Sequence, residues 1–264
     1  AEDGGETALR SETLAAAFQG LAGGFDDSHG GWGDGPKFPQ PMALEFLLRY
    51  HCTAGDPRAL QMVSQTLEAM ARGGIYDQLA GGFHRYSVDG RWLVPHFEKM
   101  LYDNAQLARV YLHGWQVTGD PLFRSVAEET LDYLLREMAD PAGGFYSTQD
   151  ADSEGVEGKF YLWTAEEIRG ILGPDAESFL SAYGVTDRGN FEGRSILTLA
   201  GSQEERRSLE GPRARLLAAR DGRVHPARDE KVLASWNGLA LAALAEAARV
   251  LGRDDYRRAA ELTA

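Results

Sequence analysis

Residues 96–118 form a helical pattern that is apolar on nearly every side: Phe97, Met100, Leu101, Leu107, Val110 and Leu112 leave little room for a wet face. Such a helix is stable only when other helices surround it. Its polar residues gather at the front, where His96, Glu98, Lys99, Asp103 and Asn104 follow Pro95, a residue suited to a first helical turn. Free backbone N–H groups and the positive end of the helix dipole lie there too. The segment from Asp229 repeats the plan: Asp229, Glu230, Lys231, Trp236 and Asn237 come first, then GLALAALAEAARVL. Buried inner helices with polar leading ends imply a ring around a pocket.

The rest of the chain supplies neighbours for them. Apolar residues recur at three- and four-residue spacing over 8–22, 41–54, 57–72, 121–138, 164–172, 175–183, 203–219, 235–251 and 254 to the end, as in Leu60, Val63, Leu67 and Met70. Asp56-Pro57 and Asp120-Pro121 each place a capping side chain before a first-turn proline. Strand-like alternation is confined to short pieces such as GKFYLW and RSILTL. The expectation is an all-α fold.

Three long loops open alike, at Gly23 (GGFDDSHGGWGDGPKF), Gly73 (GGIYDQLAGGFHRYSVDGRW) and Gly143 (GGFYSTQDADSEGVEGKFYLW). The stretches PKFPQPMALEFLL, EKMLYDNAQLARVYL and EKVLASWNGLALAAL echo one another at helix starts. Self-similarity of this kind points to a repeated helix-hairpin unit. Loops longer than a compact domain needs for connection point to function.

Lysine usage narrows the search. Of 27 basic residues only four are lysine, and Lys37, Lys99, Lys159 and Lys231 all fall in these motifs. If lysine served only solubility, some would decorate the outer helix faces, where this chain uses arginine. Either these lysines make local ion pairs, or a compact ammonium is wanted at the mouth of a shared cleft, and each lysine is expected to be shielded and partnered.

The formal charge of −13 disfavours nucleic acid and anionic membranes as partners. No apolar run is long enough to span a bilayer. With no secretory signal visible, a cytoplasmic protein is expected, although a start without Met leaves room for an upstream segment. Cys52 is the sole cysteine, which excludes an internal disulfide and a CxxC metal or redox site, and it is expected to be a small core residue. No cofactor is expected, since neither a phosphate loop nor a nucleophile elbow is present. DADSEGVEGKFY imitates the first half of a calcium loop, but its twelfth position is Tyr161 rather than glutamate, so no metal is expected.

GPKFP, GGFHRYSVDGRWLVPHFEKMLYDNAQL, DADSEGVEGKFYLW and DEKVLASWNGL resemble, in the same order, a family that couples an N-terminal thioredoxin-like domain to an (α/α)6 toroid. The likeness covers roughly residues 8–260. The toroid is similar to those of N-acylglucosamine 2-epimerases and six-hairpin glycosidases. The resemblance implies that residues 1–264 are part of such a toroid, with the thioredoxin-like domain and a C-terminal remainder absent. A partial ring would leave apolar faces to be covered by self-association or by further chain, the candidates being Leu9, Leu14, Phe18 and Leu21, and Leu241, Leu244, Val250 and Tyr256.

Two functional readings follow. In the first, a sugar-like small molecule binds at the leading ends of the inner helices. The relatives' use of histidines for proton transfer brings forward His84 and His96. A carboxylate pair, as in glycosidases, brings forward Asp77, Asp103, Asp150, Asp152 and Glu157, of which Asp77 and Asp103 are taken as the catalytic candidates. Substrate contacts are expected from Lys37, Trp92, Lys99, Asp150, Asp152, Lys159, Lys231, Trp236 and Asn237. An enzyme of this kind would be a sugar epimerase or isomerase, or a glycoside hydrolase. The alternative is a non-catalytic module serving the thioredoxin-like domain as its partner.

Overall fold

The computed structural model describes residues 11–264. Three helical hairpins form its frame: α2 (Pro41–Ala54) with α3 (Pro57–Arg72), α4 (Leu101–Thr118) with α5 (Pro121–Tyr133), and α10 (Ala234–Leu251) with α11 (Asp254–Thr263). α4 packs between α2 and α10, so these three make an inner row, and α3 packs on α5 in the outer row. A further helix, α1 (Ser11–Gly23), lies against α2 and α3. This is an all-α array of α/α toroid type.

The hairpin turn is the same each time. Gly55, Gly119 and Gly252 end the inner helices with φ of 71°, 74° and 71°. A left-handed residue there lets the chain reverse without a Cβ penalty. Asp56 and Asp120 then cap the outer helices by accepting from the N–H groups of Arg58 and Leu122 at 2.8 Å.

Between α5 and α10 the chain makes a long excursion, residues 139–233. It carries α6 (Ala165–Leu172), α7 (Ala176–Ala182), α8 (Gln203–Ser208) and α9 (Glu210–Asp221). Arg206 and Arg213 fasten it to Glu129 on α5, with the closest contact at 2.6 Å. Arg72 donates to Gly201 O at 2.9 Å.

At the leading ends lies a chain of very short β pairs. Lys37 bridges Ser87, β1 (Tyr86–Ser87) pairs with β2 (Pro95–His96), and β3 (Lys99–Met100) pairs with β4 (Thr148–Gln149), which pairs in turn with β7 (Arg228–Asp229). The approaches to α2, α4 and α10 thus join in one layer on one side of the helices. Another small pair, β5 (Asp152–Ser153) with β6 (Val156–Glu157), closes the DADSEGVEG turn.

Several expectations need correction. The helix expected from residue 96 starts at Leu101, because residues 95–100 are drawn into β2 and β3 and the Leu101 N–H bonds Ser147 O at 3.0 Å. Pro95 therefore lies in a strand. GKFYLW and RSILTL form no strand beyond the isolated Trp163–Ser195 and Phe191–Arg194 bridges, and Tyr161 and Leu162 turn back onto Gly158 O. The pattern over 121–138 ends in a π-helical turn, Leu134–Met138, and that over 203–219 divides at Leu209. Cys52 is exposed: the inward stripe of α2 is Leu44, Leu47 and Leu48, and Cys52 sits beyond it beside Thr53.

The core runs through all three hairpins. Of the residues expected to need cover, Phe18, Leu244 and Tyr256 are buried within the chain, Leu21, Leu241 and Val250 are half-buried, and Leu14 is exposed. Leu9 lies outside the described residues.

Candidate functional site

The candidate residues divide by depth. Beneath the β layer, Asp77 binds Arg220 through both carboxylate oxygens at 2.9 Å and Lys99 Nζ at 2.8 Å. Burial alone would raise the Asp77 carboxyl, but the Arg220 and Lys99 charges hold it well below the usual carboxylate range. Lys99 is itself lowered to about 8 by burial, against the pull of Asp77. It also lies 4.3 Å from the centre of the Tyr133 ring. Both partners are charged at neutral pH.

His84 belongs to the same interior. Its Nδ1 bonds Phe97 O at 2.8 Å, and its ring meets Tyr161 edge-on at 4.7 Å. Burial first, and then the nearby Lys99 charge, lower its pKa to about 3. A histidine that stays neutral so far into acid is a poor proton shuttle. The cavity next to His84, Asp77 and Arg220 measures only about 20 Å³, room for about one water molecule.

Lys37 and Trp92 are also interior. Lys37 holds Asp26 at 2.6 Å and Gly90 O at 2.9 Å, and Trp92 donates to His29 O at 3.0 Å beneath it. Asn237 spends its amide on backbone: Oδ1 accepts from the Phe145 N–H at 2.7 Å, and Nδ2 donates to Phe145 O at 3.0 Å and Leu233 O at 3.1 Å. Asn104 makes the same three bonds with Phe83 and Met100. These residues position the loops that carry the outer surface.

All four lysines have a carboxylate partner, but only two are shielded. Lys159 with Glu154 and Lys231 with Asp229 are ion pairs in water, with lysine side chains 47% and 72% exposed. Both sit in exposed loop segments, so the expected carboxylate partner is present and the expected shielding is not. Asp150 caps its own turn at the Ala151 N–H (2.7 Å), and Asp152 is exposed in β5.

One accessible cluster remains, at the leading end of α4. Glu98 accepts from Arg85 Nη1 at 3.0 Å and lies 3.7 Å from His96 Nε2. His96 Nδ1 meets Glu157 at 2.7 Å, and its ring stacks on Tyr86 at 5.1 Å. On the first turn of α4, Tyr102 packs edge-on against Trp236 of α10 at 4.8 Å. Asp103 beside it is 7% exposed, and its Oδ2 has neither solvent nor a protein partner. Burial is the main cause that raises its carboxyl to about 7; Glu98 adds to the rise, while Arg85 and Tyr102 oppose it. Arg85 Nε is likewise buried and unpartnered.

Sequence reasoning found His96, Asp103 and Trp236 here but did not place Arg85, Glu98 or Tyr102 among the site residues. The signal available was position alone: all three belong to the RYSVDGRWLVPHFEKMLYDN segment. Among the described residues no three His, Cys, Asp or Glu side chains converge as metal ligands. No helix among them is long and apolar enough to cross a membrane.

No family model matches the sequence. Spermatogenesis-associated protein 20 from Homo sapiens is 38% identical over 280 residues, covering 90% of this chain and 36% of that protein. The Rattus norvegicus protein of the same name is 40% identical, with 90% and 35% covered. The chain thus spans about a third of the curated relatives' length (36% and 35%). Among solved structures, a glycoside hydrolase family 76 mannosidase from Bacteroides thetaiotaomicron shares the fold at a TM-score of 0.52 and 11% identity, over 86% of this chain and 43% of that one.

Proposed function

The chain is homologous to spermatogenesis-associated protein 20 over 90% of its own length, and from that premise we propose that it carries a carbohydrate-active site at the leading ends of α4 and α10. The observation that carries this reading is Asp103: a carboxyl buried on a helix's first turn, with one unpartnered oxygen, beside an aromatic pair. The fold is shared with a solved glycoside hydrolase, but the chemistry rests on this chain's own residues.

Asp103 holds a proton near neutral pH and can give it to a departing glycosidic oxygen. Glu98, held by Arg85, is the neighbouring carboxylate that can take the proton of the incoming water. Two carboxyl groups in unlike environments divide acid and base roles. This fits acid-assisted cleavage better than epimerisation by a histidine pair, because His84 is buried away from His96's surface. The substitutions Asp103→Asn and Glu98→Gln should each slow turnover of 4-nitrophenyl glycosides by about 10²-fold or more. A panel of such glycosides that is neither cleaved nor bound would overturn the reading.

The second reading is a non-catalytic module serving a thioredoxin-like partner domain, and the burial of Asp77, His84 and Lys99 favours it. Saccharide binding at Trp236 without turnover would select it.

A further inference from the structure

Two buried polar atoms beside the Asp77 group have no partner among the described residues. Gln78 spends its amide N–H groups on Ala71 O at 2.9 Å and Gly73 O at 3.0 Å, which leaves Oε1 unmatched. Arg220 gives both terminal nitrogens to Asp77, which leaves its Nε–H in the same condition. Gln78 is 1% exposed and Arg220 3%. Both line the cavity of about 20 Å³ next to His84, large enough for about one water molecule. Another cavity along Arg220 measures about 10 Å³, at the lower limit for a water, and Gln78 is not part of its wall. His84 supplies a third atom. A carbonyl cannot donate, so the Nδ1 that bonds Phe97 O carries the proton and Nε2 is a bare acceptor. The burial that lowers His84 to about 3 keeps it so.

We propose that this cavity binds one ordered water molecule as a fixed part of the fold, accepting from Arg220 Nε–H and donating to Gln78 Oε1 and His84 Nε2. Three bonds are the usual complement of a buried water. One donor and two acceptors on the wall select it over other small occupants. An anion would be drawn to Arg220 but would face two acceptors and the Asp77 carboxylate. A cation would meet Arg220 and, across Asp77, Lys99. An apolar guest would leave all three atoms unsatisfied. The water joins parts that lie far apart in sequence: Gln78 in the loop after α3, His84 ahead of β1, and Arg220 on α9 of the excursion. It therefore adds a link beside the Asp77–Arg220 bond between that lobe and the helical array, and it gives His84 the role of an acceptor.

The test reads the Arg220 Nε–H resonance of the whole nitrogen-15-labelled chain in water-selective NOE and ROE spectra. A cross-peak to water whose sign marks dipolar contact rather than proton exchange is expected. It should persist in Tyr161→Phe, which removes a hydroxyl from a wall residue that could relay exchange. Leu197→Phe adds bulk at the wall and should abolish the cross-peak, move the His84 Nε2 resonance and remove one long-lived water from the oxygen-17 relaxation dispersion. The thermal midpoint of each variant is the folding control, and the wild-type spectra decide the matter if Leu197→Phe does not fold. A slowly exchanging Arg220 Nε–H without a water cross-peak would overturn the proposal. So would an Nε–H that exchanges as freely as an exposed one, a His84 protonated at Nε2 instead of Nδ1, or a cross-peak that survives in folded Leu197→Phe.

Discussion

Asn104 grips the backbone of Phe83 with both ends of its amide, accepting from the N–H at 2.6 Å and donating to the carbonyl at 3.0 Å, 21 residues back along the chain. The clamp repeats at Asn237 and Phe145, so the GGF of each preceding loop is pinned to the first turns of the next inner helix. Asn104→Ala would strand a buried donor and acceptor and should destabilise the protein by about 3 kcal/mol. Urea unfolding at fixed m value measures it; a loss below about 1 kcal/mol would show that water replaces the amide.

Phe83 sits where it does because Gly82 allows it. At Gly82 φ is 80°, and an added Cβ would lie 2.5 Å from the Tyr133 ring. Gly82→Ala should lower the thermal midpoint by more than Gly20→Ala, where nothing lies within 4 Å. Equal midpoints would mean that the loop can shift freely.

Removing one member of the buried Asp77–Lys99–Arg220 group should be severe. Lys99→Met leaves Asp77 with Arg220 alone, and breaking a buried pair typically costs about 3–5 kcal/mol. Chemical denaturation is the check, and near-wild-type stability would mean that Arg220 suffices.

Two histidines should tilt pH stability in opposite directions. His113 is raised by its bond to Glu45 at 2.7 Å, against burial and with Glu246 at 3.0 Å on its other nitrogen. Its contribution is complete below the unfolded value near 6.5 and is lost as pH climbs through the raised folded value. His84, lowered to about 3, behaves inversely: its contribution is present above about 6.5 and fades as pH falls towards 3. Imidazole resonances followed by NMR should bracket 6.5 from the two sides, and a His113 midpoint below 6.5 contradicts the arrangement.

Asp103 titrates upward, so the sign reverses relative to an ordinary carboxylate. Its folded-state value near 7 exceeds the ordinary carboxyl value of 3.8, and the associated stability is full below the latter and lost as pH rises through 7. Glu98→Gln removes a neighbouring negative charge and should bring the Asp103 carboxyl carbon midpoint down. A midpoint that stays in place would show that Glu98 does not reach it.

The inner helices and their repeat were legible because period and punctuation are local: Gly55-Asp56-Pro57 and Gly119-Asp120-Pro121 announce the same turn. Lysine economy pointed correctly to Lys37 and Lys99 as shielded charges. It misled at Lys159 and Lys231, because exposure is set by how far a loop stands from the core. What neighbouring residues could not reveal was depth. Asp77 meets Arg220 across 143 positions, so an apparent cleft carboxylate is an interior one. Arg85 and Glu98 form an ion pair 13 residues apart, while Arg85 Nε and Asp103 Oδ2 stay buried without partners, which neighbouring residues alone do not announce.

The excursion between α5 and α10 leaves through Thr148–Gln149 and returns through Arg228–Asp229, paired side by side. Its two stems are a strand's width apart, so the lobe starts and ends at one place on the helical array however long the insert grows. Evolution could trade this lobe for another without redrawing the ring, provided that new residues inherit two duties: neutralising Asp77, as Arg220 does, and neutralising Glu129, as Arg206 and Arg213 do. A shortened homologue should therefore carry compensating changes at positions 77 and 129 before any at the α4 leading end.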